Sequence, residues 1–206
     1  MSDARELALE LLRIGAVEVR PDPEHWFTWS SGKRAPIYCD NRLLMSDHAA
    51  RSRVAKALAE SIRKQFSGVQ VIAGTATAGI PHAAWVADRL ELPMVYVRSA
   101  PKGYGQGKRV EGRPLRGERV VVVEDLVSLG GSSATAVEAV RAEGGDVAGV
   151  QAIVSYGFPE AHARFAALGV ICAALVQYTD LLDALRGAPG FDDARLGVLR
   201  EWRESS

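Results

Sequence analysis

The chain has 206 residues, 48% of them apolar, and its 25 lysines and arginines are balanced by 25 aspartates and glutamates, for a formal net charge of zero. That length suits one α/β domain, spanning 1–206, with a sizeable core. The absence of a basic excess argues against a general nucleic-acid or anionic-membrane binder, while a small anion needs only a local positive site.

Residues 4–14 have the apolar spacing of an amphipathic helix and lack the basic start and apolar middle of a signal peptide. The segment 21–46 is irregular, rich in Pro, Gly and aromatic residues, and Ser46 is placed to cap a helix over 47–65. A strand follows at 69–74, a helix at 80–90 with Pro81 near its start, and a strand at 94–99. The stretch 100–117 carries five glycines, two prolines and five basic residues without an apolar period, which predicts a long mobile loop. The apolar strand 118–125 is of the kind buried on both faces of a parallel sheet. Ser132 or Ser133 can cap the next helix, which Gly144 and Gly145 stop. Strands at 146–156 and 169–178 flank a short helix at 160–168, and a last helix lies near 192–202. This alternation predicts an open, mostly parallel sheet flanked by helices. No stretch is long and apolar enough to predict a membrane span.

Cys39 and Cys172 lie far apart and form no CxxC pair, which fits a reducing, cytoplasmic setting. His25, His48, His82 and His162 are scattered outside any zinc-ligand spacing.

The stretch "VVVVEDLVSLGGSS", residues 120–133, joins a buried strand to two adjacent carboxylates and then to a loop of small residues leading into a helix. Ligands of open α/β sheets gather at the carboxyl ends of strands. Free N–H groups and the dipole at a helix start favour an anion there, and glycines let a phosphate approach the backbone. Two carboxylates beside that phosphate make sense if the ligand also offers hydroxyls, or develops positive charge as a bond breaks. A ribose 5-phosphate meets both conditions. The segment is not a Walker A loop, since GxxxxGK[ST] occurs nowhere, and "GYGQG" at 103–107 lacks the strand-to-helix setting of a dinucleotide fingerprint.

This stretch resembles the phosphoribosyl-pyrophosphate motif of type I phosphoribosyltransferases. "FTWSSGKRAPIYCDNR" (27–42), "AGTATAGIPHAA" (73–84) and "VRSAPKGYGQGKRVEG" (97–112) are similar to the orotate phosphoribosyltransferase family. The resemblance implies a type I phosphoribosyltransferase fold with a small N-terminal hood, roughly 1–46, and a catalytic lid, roughly 99–117. It implies transfer of ribose 5-phosphate from phosphoribosyl pyrophosphate to orotate, with Mg²⁺ held mainly through substrate pyrophosphate and ribose and no dedicated protein ligand. The expected unit is a cytoplasmic homodimer whose lid closes over the neighbouring subunit's site.

By motif position, Glu124 and Asp125 would hold the ribose hydroxyls. Leu126, Val127, Ser128, Leu129, Gly130, Gly131, Ser132 and Ser133 would surround the 5-phosphate. Thr75, Ala76, Thr77 and Ala78 would lie against pyrophosphate, with Ala76–Thr77 at a bond that is often cis in this fold. Arg98, Lys102, Tyr104, Lys108 and Arg109 are the lid candidates, and Lys33, Tyr38 and Arg42 are the hood candidates for the base. Asn41 is a candidate for holding the hood together. Tyr104 stands where relatives often carry histidine, and Gly103 where they often carry an acid. Two alternatives remain open at this point: a phosphoribosyltransferase for another base such as a purine, and a non-catalytic sensor of phosphoribosyl pyrophosphate.

Overall fold

The computed structural model describes residues 4–29, 32–100 and 108–205. Its axis is β8 (Arg119–Val127), in which Val120, Val121, Val122 and Val123 are fully buried. Each valine so buried contributes roughly 1.5–3 kcal/mol, enough to fix this strand at the sheet's centre. β5 (Val71–Thr75) pairs with it on one side and β9 (Asp146–Ser155) on the other, both in parallel. β6 (Met94–Val97), β10 (Ile171–Gln177) and the short β7 (Val110–Glu111) extend the sheet, giving the order β10-β9-β8-β5-β6-β7. A register shift at Val120/Val121 lets β8 and β9 come back into step.

The helices α2 (His48–Gln65), α3 (Gly79–Leu90), α4 (Gly131–Ala142) and α5 (Pro159–Ala167) cover the sheet and divide the buried apolar residues into two clusters. α1 (Ala4–Arg13) packs against α6 (Tyr178–Leu185) and β10. The hood is built from two antiparallel pairs, β1 (Val17–Val19) with β4 (Ile37–Cys39) and β2 (Phe27–Thr28) with β3 (Arg34–Ala35). The last helix, α7 (Asp193–Glu204), reaches back to this hood, where Trp202 Nε1 donates to the Arg34 carbonyl at 3.1 Å.

The α/β class and the mostly parallel sheet agree with the sequence. Several local expectations are corrected. Asp47, not Ser46, caps α2: its carboxylate accepts from the Ala50 N–H at 2.9 Å, and Ser46 ends a preceding 3-10 turn. The loop 100–117 is not uniformly irregular. β7 (Val110–Glu111) returns antiparallel to β6, Val110 and Leu115 are buried, and one Glu143 oxygen accepts the N–H groups of both Arg109 and Val110. α6 follows β10 without a connecting loop, fixed by a capping box between Gln177 and Asp180, where the sequence reading had a strand and no helix. Among the described residues no helix is long and apolar enough to cross a membrane.

Candidate active site

The carboxyl ends of β5, β6 and β8 meet the first turn of α4. Gly130, at φ 73°, takes the cap position of α4, and no side chain caps the helix. Ser132 and Ser133, the expected caps, lie inside the first turn and point elsewhere. Both hydroxyls donate to Glu124 Oε2, at 3.2 and 2.9 Å. On the other oxygen, Glu124 Oε1 accepts from Thr75 Oγ1 at 2.7 Å and from the Asp125 N–H at 3.1 Å. Four protein donors therefore occupy a buried carboxylate. Burial pushes its pKa up to about 7, and the neighbouring Asp125 charge pushes the same way.

The two acids thus have different surroundings. Glu124 ties β5, β8 and the start of α4 together from beneath, while Asp125 is half-buried beside it. Each of these two serine hydroxyls has one proton, given to Glu124, so neither is left for an anion at α4, which the backbone amides of the loop can still serve. Ser128 is half-buried, Leu129 is exposed, and Leu126 and Val127 complete the end of β8.

A small cavity of about 160 Å³ lies between the Thr75–Ala76 turn, the end of β6 and the start of α4. Arg98, Arg109, Gly131, Ser132 and Thr135 line it. The Ala76–Thr77 peptide is cis, and Thr77 is exposed at the turn, with Ala78 half-buried next to it. Arg109 is anchored by donating to the carbonyls of Arg98 and Ser99, and Arg98 makes a 3.5 Å contact with Glu111. Lys108 is exposed. Lys102 and Tyr104 lie outside the described residues. Sequence reasoning missed Thr135, a helical residue one turn into α4 whose hydroxyl donates to the Gly131 carbonyl.

A second cavity, about 550 Å³, opens between the hood and the ends of β8 and β9. Thr28, Trp29, Tyr38, Cys39, Leu126, Ser128, Leu129 and Tyr156 line it. Its volume suits a small planar ring. Tyr38 lies on its rim, 43% exposed, with its ring 5.6 Å from Phe27. The other two hood candidates do not line it. Arg42 is folded back onto Asp40 in a two-pronged pair of 2.6 and 2.8 Å, and Lys33 sits over the Phe158 ring at 4.8 Å. Asn41 is fully buried and joins hood to site, donating through Nδ2 to the Asp125 carbonyl at 2.8 Å. Tyr156, which lines the cavity, was absent from the sequence-based candidates.

Residues 45–170 match the phosphoribosyl transferase domain family. Orotate phosphoribosyltransferase of Enterococcus faecalis (strain OG1RF) is 48% identical over 201 residues, covering 98% of this chain and 95% of the relative. That of Bacillus caldolyticus is also 48% identical, covering 97% and 96%. The solved orotate phosphoribosyltransferase of Aeropyrum pernix superposes with a TM-score of 0.77 at 34% identity, over 88% of this chain and 99% of that one. Leishmania donovani UMP synthase superposes with a TM-score of 0.81 at 28% identity over 98% of this chain, which spans 42% of that longer one. The chain belongs to the phosphoribosyltransferase family and groups with its orotate phosphoribosyltransferases.

Proposed function

We propose that the chain transfers ribose 5-phosphate from phosphoribosyl pyrophosphate to orotate, releasing pyrophosphate and forming orotidine 5′-monophosphate in pyrimidine nucleotide synthesis. The observation that carries this reading is the adjacency of three unlike surfaces. An amide-rich helix start suits the 5-phosphate, an arginine-lined cleft suits pyrophosphate, and a hood cavity with aromatic walls suits the base. Asp125 stands where β8 meets these surfaces.

In this reading the loop 126–133 grips the 5-phosphate through backbone amides, and Asp125 accepts hydrogen bonds from the ribose diol. Glu124 acts from beneath by holding the loop and Thr75. As the bond to pyrophosphate lengthens, positive charge develops on the ribose ring, and the nearby Asp125 carboxylate favours it. Arg98, Arg109, Lys108 and the lid residue Lys102 balance the charge of the departing pyrophosphate. The nitrogen of orotate, held under the hood, then bonds to the ribose carbon with no covalent enzyme intermediate.

Among the described residues no group of three or more His, Cys, Asp or Glu side chains gathers as a metal cage. A lone half-buried carboxylate beside a phosphate loop fits Mg²⁺, which commonly keeps one or two carboxylates and takes its remaining ligands from substrate phosphates and water. When bound, Mg²⁺ would supply charge neutralisation for the leaving pyrophosphate. The working unit we propose is a cytoplasmic homodimer in which the lid of one subunit serves its partner.

Ultraviolet loss of orotate tests the proposal directly. Absorbance should fall only when protein, phosphoribosyl pyrophosphate and Mg²⁺ are all present, and adenine should not substitute for orotate. An absent signal with orotate, or turnover of adenine instead, would reject it.

A further inference from the structure

Tyr156 follows the last residue of β9 and is only 2% exposed. Its position is determined from every side. Its N–H donates to the Val127 carbonyl at 3.0 Å, and its carbonyl accepts from Arg203 Nε at 2.6 Å. Arg203 also donates to the Gly157 carbonyl, so α7 clamps the turn that carries this tyrosine. The ring lies stacked on Trp29, with centroids 5.4 Å apart and planes 10° from parallel, and meets Phe158 and Tyr178 edge-on.

Buried tyrosine hydroxyls usually find a partner. The neighbours obey this rule: Tyr178 donates to the Leu199 carbonyl at 3.1 Å, and Trp29 Nε1 to the Ile37 carbonyl at 3.0 Å. Among the described residues the Tyr156 hydroxyl makes no hydrogen bond to protein, and unlike Trp26 Nε1, Asn41 Oδ1 and His82 Nε2 it is not sealed from solvent. It belongs to a ring that walls the 550 Å³ hood cavity, within electrostatic reach of Cys39, Tyr38 and Asp125. A donor this firmly aimed and left without a protein partner is how a site is pre-organised for a ligand acceptor.

We infer that Tyr156 is a specificity residue for the base, its hydroxyl donating to an acceptor oxygen of the pyrimidine. The inference rests on the orotate reading above and deepens it. Trp29 orients the ring from the hood side and Arg203 orients its backbone from the C-terminal helix. The selectivity follows from the chemistry: a base with no acceptor at that place would leave the hydroxyl dry and unpaired, which costs more than a lost contact.

Tyr156→Phe tests this, because it keeps the ring and removes only the hydroxyl. Steady-state kinetics on the parent and variant should show KM for orotate raised by about tenfold or more, with KM for phosphoribosyl pyrophosphate unchanged within about twofold. The thermal midpoint should stay within about 2 °C, since no protein hydrogen bond is lost. Unchanged KM for orotate would overturn the inference. So would equal rises in both KM values, or a clear fall in the thermal midpoint, either of which would make the hydroxyl structural. A parent protein that does not use orotate would instead reject the proposed function, so the two failures are distinguishable.

Discussion

Asn41 of the hood donates through Nδ2 to the main-chain carbonyl of Asp125, 2.8 Å away and 84 residues further along the chain. The bond ties the segment over the base to the acid proposed for the ribose. Asn41→Ala would leave that carbonyl without this donor beside the buried end of β8. The expected cost is about 1–3 kcal/mol, or roughly 2–4 °C of thermal midpoint for each kcal/mol in a chain of this size. kcat/KM should fall more than stability alone explains, because hood and acid lose their common register. Melting curves and steady-state kinetics on the same preparation check this; an unchanged midpoint would show that the bond carries no weight.

Glu124 gives a pH prediction. Its folded pKa is raised to about 7 from an ordinary value of 4.5, by burial first and by the Asp125 charge second. Below pH 4.5 both folded and unfolded states hold the proton, so this group's contribution to stability is fully present. Between pH 4.5 and 7 the folded state binds more proton than the unfolded state, so that contribution is lost as pH rises. Glu124→Gln has no proton to lose. The stability difference between parent and variant should therefore move in the variant's favour from pH 4.5 to 7.5, by a few kcal/mol at most. Denaturant titrations at those two pH values measure it. A difference that is flat with pH would mean Glu124 is ionised throughout.

The sheet centre and the small-residue loop before α4 were legible because several signals coincide there: four buried valines, an acidic pair, glycines and a helix start. The different surroundings of Glu124 and Asp125 were not, since adjacent acids look alike until Thr75, Ser132 and Ser133 are seen to converge on one of them. Those same hydroxyl bonds explain why the serine caps failed and Gly130, in left-handed conformation, took the position. β7 was hidden because two residues carry no period; its place is set by β6 and by Glu143, which is 33 residues beyond Val110. α6 was hidden because it continues straight from β10, so one apolar run contains both elements. Tyr156 is a single aromatic after a strand, and nothing in the sequence marks its hydroxyl as lacking a protein partner.

Gly79 shows how tightly the turn against the phosphate loop is packed. A Cβ there would lie 2.6 Å from the Val123 carbonyl oxygen and press on the Thr75 hydroxyl. That hydroxyl lies 2.7 Å from Glu124 Oε1, to which it donates, and 3.1 Å from Val123 O. Gly79→Ala should therefore destabilise the fold by about 1–3 kcal/mol through overpacking. It should also raise KM for phosphoribosyl pyrophosphate, because Thr75 is driven off Glu124 and the loop above loses its anchor. Gly131→Ala is the control: its Cβ would meet nothing within 4 Å and should leave stability nearly unchanged. If the two variants melt alike, close packing at Gly79 is not what holds the turn.

The lid supplies the last prediction. Lys102 lies in the run 101–107, outside the described residues, but both flanks of that run are fixed. Arg98 N donates to the Arg109 carbonyl at 2.8 Å, and β7 pairs with β6 beyond it. The residues on either side of that run are thus joined as a two-strand pair beside the arginine-lined cleft. If Lys102 serves the partner's site, a dimer made from one Lys102→Ala subunit and one Asp125→Asn subunit holds one site with both residues intact and one with neither. Each variant alone should be nearly inactive. Mixing them under conditions that exchange subunits should restore activity, up to about a quarter of the parent level at equal amounts, since half the dimers are hybrids and each has one competent site. Mass measurement of differently tagged subunits would establish that exchange occurred. Exchange without recovery would place Lys102 in its own subunit's site or outside the reaction.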